Sequence, residues 1–167
     1  MNFYKYPYQY KDEVVAKFKD YDIVIHTNKE KDYGYLSNDE FVSIEIKNKK
    51  GKSLFMNLED EITILFGDWH MHYTLEDVSD YEEAMEKAYN IINNKECTLV
   101  FYCNGKIFGS GSDNKKEYTL EDALDFLKSF FVSGFHPIFK EYGVLVKVCY
   151  FDESKNYEIF LDKENFI

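Results

Sequence analysis

The chain has 167 residues, 31 acids against 20 bases and a formal charge of −11, and every base is Lys. That length supports a buried core without disulfides or a structural metal. Aromatic residues make up 19 % of the chain, which excludes intrinsic disorder, and the acidic, Arg-free composition argues against a nucleic-acid binder. Much Lys, Asn, Ile, Phe and Tyr with little Ala also marks an AT-rich coding sequence, so the missing Arg carries less weight as a functional sign.

The N-terminus, Met1 to Tyr10, lacks the basic and apolar regions of a signal peptide, and no apolar run reaches the length of a membrane span. Cys97, Cys103 and Cys149 are odd in number and contain no C-x-x-C pair. These features predict a cytoplasmic protein with reduced thiols.

In chain order, Tyr10, Val14, Phe18 and Tyr21 share one helical face, which predicts a helix over Lys11–Asp20. Tyr21 to His26 reads as a short strand, and residues 27–40 as a polar loop. Phe41 to Lys47 alternates apolar and polar residues, Asn48 to Gly51 makes a hairpin turn, and Lys52 to Leu58 returns. Asp60 marks a second turn before a third strand over Glu61–Phe66, with an extension to Tyr73 left open.

Val78, Tyr81, Met85, Ala88, Ile91 and Ile92 form the stripe of a helix within residues 75–94. Ser79 with Glu82 and Thr74 with Asp77 offer rival caps for it. Cys97–Cys103 and Lys106–Ser110 flank the hairpin turn Asn104-Gly105, and residues 111–117 read as a polar loop. Thr119 caps a helix over Leu120–Val132, whose buried face is Leu120, Ala123, Leu124, Leu127, Phe130 and Phe131. Gly134 and Pro137 are read as its stop. Val144–Phe151 and Asn156–Leu161 form a last hairpin around Glu153-Ser154-Lys155.

Short turns between adjacent strands predict one α+β domain over residues 1–167: a mainly antiparallel sheet with amphipathic helices on one face. Tyr-Thr-Leu-Glu-Asp occurs at 73–77 and again at 118–122, but the flanks do not align, so a good helix start used twice explains it.

The sharpest local feature is Gly67-Asp68-Trp69-His70-Met71-His72-Tyr73. On an extended segment His70 and His72 project together with Asp68 beside them, a partial ligand set for a transition metal or a source of acid–base groups. A bare H-x-H lacks a third strong ligand nearby, so the same residues also read as a strand end packing at a surface. Trp69, the single Trp, serves either as a docking anchor or as core.

The cysteines read as structural: Cys97, Leu99, Phe101 and Cys103 share one strand face. Gly51-Lys52-Ser53 lacks the earlier Gly of a P-loop, where Ile46 stands, and Gly109-Ser110-Gly111-Ser112 does not form the G-x-S-x-G elbow. No cofactor is expected.

The charge is segregated. Between Lys52 and Lys87 there is no base, and ten acids lie there: Glu59, Asp60, Glu61, Asp68, Glu76, Asp77, Asp80, Glu82, Glu83 and Glu86. The rest of the chain holds 21 acids and 20 Lys, close to neutrality. Part of this serves a helix N-terminus, yet a single-sign field also steers a basic partner.

The stretch Glu61 to Tyr73, the acidic helix after it and the run Thr98 to Gly109 resemble small cytosolic bacterial immunity proteins of polymorphic or contact-dependent toxin systems. The resemblance covers residues 61–109, about a third of the chain. It implies a non-enzymatic protein that binds and neutralises a cognate toxin domain, such as a basic nuclease, with no nucleic acid or membrane as partner. No catalytic residue carries over. The candidate partner surface is Asp68, Trp69, His70, His72, Tyr73, Glu76, Asp77, Asp80, Glu82, Glu83 and Glu86. A metal-dependent enzyme built on Asp68, His70 and His72, and a generic adaptor domain, are the alternatives.

Overall fold

The computed structural model describes residues 5–75, 78–129 and 136–167, Val78 by its backbone alone. The expected α+β class is observed, with antiparallel pairing throughout. The strands form two sheets where the pattern predicts one, and the chain divides into two compact units, Met1–Asn93 and Asn94–Ile167.

In the first unit a 3₁₀ turn at Pro7–Tyr10 leads into α1 (Lys11–Lys17). Five strands follow: β1 (Ile23–Thr27), β2 (Val42–Ile46), β3 (Leu54–Leu58), β4 (Ile62–Phe66) and β5 (Trp69–Tyr73), then α2 (Val78–Ile92). The sheet keeps sequence order, β1-β2-β3-β4-β5. The segment 61–73 is therefore two strands. Gly67, at φ +62°, and Asp68 form the turn between them.

Register fixes two different faces. Ile25, Ile44, Met56, Ile64 and Met71 make one cross-strand row of the apolar face, beside Ile23, Ile46, Leu54, Phe66 and Trp69. Ile44, Ile46, Leu54, Met56 and Ile64 are fully buried. Each such side chain contributes about 1.5–3 kcal/mol when removed from water. α2 packs across β4 and β5, and its Ala84, Met85, Ala88 and Ile91 are fully buried, as are Val14 and Phe18 at the first helix. The opposite face carries a polar row, His26, Ser43, Asn57, Thr63 and His72, one residue from each strand. Ser43, Asn57 and Thr63 are nonetheless buried. Tyr35, from the loop between β1 and β2, donates its hydroxyl to Asn57 Oδ1 at 3.5 Å.

The second unit contains β6 (Cys97–Cys103), β7 (Lys106–Asp113), α3 (Leu120–Ser129), α4 (Pro137–Tyr142), β8 (Val144–Cys149) and β9 (Tyr157–Leu161). The sheet order is β7-β6-β8-β9. Leu99, Phe101, Val144, Val146, Val148 and Leu161 of the sheet cluster with Ala123, Leu127, Phe139 and Phe166. Asn104 (φ 49°) and Gly105 (φ 73°) form the expected hairpin turn. Thr119 and Asp122 cap α3 reciprocally: the Asp122 amide donates to Thr119 Oγ1 at 3.2 Å, and the Thr119 amide donates to Asp122 Oδ2 at 2.8 Å. Phe130, Phe131, Val132 and Gly134 lie outside the described residues.

The segment between Ser129 and His136 lies outside the described residues, and Pro137 opens the next helix. It is the first residue of α4, where its missing N–H is no loss, and the His136 ring accepts the Ile138 amide. The strand read as ending at Ser110 continues to Asp113, opposite Cys97.

Gly143 and Gly105 share a left-handed backbone and differ in surroundings. A Cβ at Gly143 would lie 2.6 Å from the Leu161 carbonyl oxygen, whereas one at Gly105 meets nothing within 4 Å. Gly105→Ala should cost about 1 kcal/mol from backbone conformation alone. Gly143→Ala should cost about 2–3 kcal/mol or more, because the strand end must also shift. Urea unfolding of both variants checks the order; equal losses would show that the clash at Gly143 is relieved.

Candidate functional site

The residues singled out in the sequence fall on both sides of β5. Asp68, His70 and His72 are exposed, while Trp69 and Tyr73 are 2 % and 5 % exposed. The turn at Gly67 sets this parity: 69, 71 and 73 point to the apolar face, so 70 and 72 point away from it. Trp69 is paired across the sheet with Phe66, and Tyr73 with Ile62, so both belong to the core and not to a docking surface. On α2, Glu82, Glu83 and Glu86 are exposed and Asp80 is half-buried. Glu76 and Asp77 lie outside the described residues, and the rival Thr74–Asp77 cap with them.

His70 and His72 do share a face, their rings meeting edge to face with centroids 5.2 Å apart. His72, however, turns to Glu61: its Nδ1 lies 2.5 Å from Glu61 Oε1 and 3.2 Å from Thr63 Oγ1. Among the described residues no three His, Cys, Asp or Glu side chains are grouped closely enough to hold a metal ion. Asp68, His70 and His72 therefore do not form the ligand set that their spacing suggests.

Glu61 belongs to a second acidic group, at the turn between β3 and β4. Glu59, Asp60 and Glu61 are consecutive there, and the Glu59 carboxyl is pushed up by burial and then by the charges of Glu61 and Asp60. Burial, followed by the charge of Glu40, raises the Tyr8 hydroxyl, with a smaller push from Asp60. The tyrosine thus sits in the field of carboxylates from two loops. Three acids in one hairpin turn were visible in the sequence as charge; only the fold brings the charges of Glu40 and Asp60 to bear on one tyrosine.

A third cluster carries no sequence motif. His26 on β1 has both ring nitrogens against carboxylates: Nδ1 lies 2.8 Å from Glu30 Oε2, and Nε2 lies 3.0 Å from Glu45 Oε2. The Tyr33 ring stacks on the imidazole with centroids 4.0 Å apart and planes 6° apart. Glu45 also accepts from Ser53 Oγ at 2.7 Å, and Glu30 accepts the Thr27 amide at 3.0 Å. A neutral imidazole has only one N–H and satisfies one of these carboxylates; the imidazolium satisfies both. Burial opposes that charge, but the bonds to Glu30 and Glu45 outweigh it, and the His26 pKa is raised. Glu30 is lowered, chiefly by His26; Glu45 is lowered too, as the Ser53 and His26 bonds overcome its burial.

The cysteines of the second unit are buried at 97 and 103 and partly exposed at 149. Burial pushes the Cys97 thiol up to about 11 and raises Cys103, which suppresses the nucleophilic thiolate at both positions.

The His26 cluster makes stability pH-dependent with a definite sign. A raised histidine pKa gives stabilisation that is complete below the unfolded value of 6.5 and is lost as pH rises through the folded value. Lowered carboxylates give stabilisation that is present above 4.5 and is lost as pH falls through their folded values. The cluster should therefore contribute most between the carboxylate and histidine ranges. Urea midpoints at about pH 5.5 and about pH 8.5 should differ more in the parent protein than in His26→Gln. The same pH dependence in both proteins would remove His26 as its source.

Among the described residues no helix is long and apolar enough to cross a membrane. Comparison with protein-family models, with curated proteins and with solved structures returns no match to this chain.

Proposed function

We propose that the chain is a non-enzymatic binding protein whose first unit docks a basic protein domain on its acidic surface. Following the resemblance over residues 61–109, the partner is a toxin domain, such as a nuclease, that the chain neutralises by covering its active site or substrate groove. The observation that carries this reading is the group Glu59, Asp60 and Glu61. These like charges are held together in the free protein, and a cationic partner relieves their repulsion. Exposed Glu82, Glu83 and Glu86 extend the same sign of charge along α2. The docking residues are then Asp68, His70 and His72 with Glu59, Asp60 and Glu61, supported from beneath by Trp69 and Tyr73, while α2 covers the opposite face of the sheet. An adaptor role, with a basic partner other than a toxin, uses the same surface and differs only in the partner.

Two measurements test the reading. Co-expression with the toxin encoded beside the gene should restore growth to cells that the toxin alone arrests; failure to restore it would refute the immunity role. For the purified pair, Glu59→Lys/Asp60→Lys/Glu61→Lys should slow association about 10–100-fold at low salt, and added salt should slow the parent in the same way. Unchanged association kinetics in this triple variant would move the docking surface away from the β3–β4 turn. The same reversal at Glu82, Glu83 and Glu86 reports whether α2 takes part.

A further inference from the structure

The second unit has a feature of opposite sign. A cavity of about 560 Å³ opens between three loops, and four lysines line it: Lys95, Lys115, Lys116 and Lys155, together with Tyr150 and Tyr157. Among the described residues no carboxylate lines it, in a chain where acids outnumber bases by eleven. Its volume lies in the range of sites that enclose a small ligand, roughly 300–1,000 Å³.

The loops that bear these lysines are fixed by hydrogen bonds independent of any ligand. Tyr150 donates its hydroxyl to the Lys116 carbonyl at 3.1 Å, with the Lys115 carbonyl at 3.4 Å. Tyr157 Oη accepts the Tyr118 amide at 2.6 Å and donates to the Tyr118 carbonyl at 3.0 Å. Asn94 Oδ1 accepts the Asp152 amide at 2.7 Å, which joins the Lys95 loop to the Lys155 loop.

The neighbouring acids are engaged in the frame. Asp122 pairs with Lys115 and caps α3, and the Lys115 bond leads in pulling its carboxyl down to about 2. Asp113 accepts the Lys115 amide at 2.9 Å, and Asp152 accepts from Ser154. Among the described residues neither Lys116 Nζ nor Lys155 Nζ is paired with a carboxylate. The fixed loops thus bring two exposed lysines that no carboxylate neutralises to one rim of the cavity.

We propose that this cavity binds a phosphorylated small molecule of nucleotide size, its phosphates on the lysine rim and its ring against the half-buried Tyr157. Ammonium groups bind phosphate oxygens through charge-assisted hydrogen bonds, and the Tyr157 ring supplies an apolar wall for a flat heterocycle. No Gly-rich phosphate loop is involved; the cation set comes from residues far apart in sequence. The site lies in a different unit from the acidic docking surface and does not depend on the toxin reading.

Titration calorimetry on the full chain tests this with ATP, tripolyphosphate and adenosine as probes. ATP should bind saturably at one site, and Lys116→Gln/Lys155→Gln should weaken it at least about tenfold. Tripolyphosphate should bind more weakly than ATP, and adenosine should not bind detectably. Both lysines are exposed, so the double variant should keep the parent's circular dichroism and urea midpoint. No saturable binding of ATP, or equal ATP binding by the folded double variant, would overturn the site. Equal affinity for ATP and tripolyphosphate would overturn the place of the ring. A fold lost in the double variant is answered by Lys155→Gln alone, for which unchanged ATP affinity again overturns the assignment.

Discussion

The two-residue alternation of the five-stranded sheet is the constraint on which the first unit rests. Every strand contributes most of its apolar residues to one face, so that face must be covered, and α2 and α1 are the amphipathic segments that supply fully buried side chains. Once that face is committed, everything chemically useful is left on the other face, at the turns or on the outer side of a helix. The acids at Glu59, Asp60 and Glu61 are at a turn for this reason, and His26, His72 and Ser43 lie on the far face. The position of the charge is thus a consequence of where the core is.

Buried polar groups show how the far face is managed. Among the described residues Ser43 Oγ has no hydrogen-bond partner, whereas Asn57 is met by Tyr35, Thr63 by Glu61 and His72, and His26 by two glutamates. A partnerless buried hydroxyl costs free energy of the order of 1–3 kcal/mol. The loop carrying Glu30, Tyr33 and Tyr35 is held to the sheet by the pairs at His26 and Asn57.

Much of this was legible in the residues. Asn104-Gly105, the Thr119–Asp122 cap and the alternation of Phe41–Lys47 each encode their structure locally. The turn at Gly67 was legible in principle: the apolar parity changes from 62, 64 and 66 to 69, 71 and 73, which a single strand cannot satisfy. Pro137 was ambiguous because proline both follows one helix and begins the next. The rest depends on register. His26 meets Glu45 because β1 pairs with β2 at one offset, and three loops containing Asn and Lys meet around one cavity only when β6, β8 and β9 are in place. Neither grouping leaves a spacing in the chain. Charge is also uneven between the units, with nineteen acids against eleven lysines in the first and twelve against nine in the second.

The burial of Trp69 has a practical consequence. It is the single Trp of the chain and belongs to the first unit, while the buried thiols Cys97 and Cys103 belong to the second. Each unit thus contains its own reporter: indole emission for one, and thiol labelling that requires opening for the other. Followed in a single denaturant series, the two signals tell whether the halves melt as one cooperative entity or in succession, without any residue of the protein being changed.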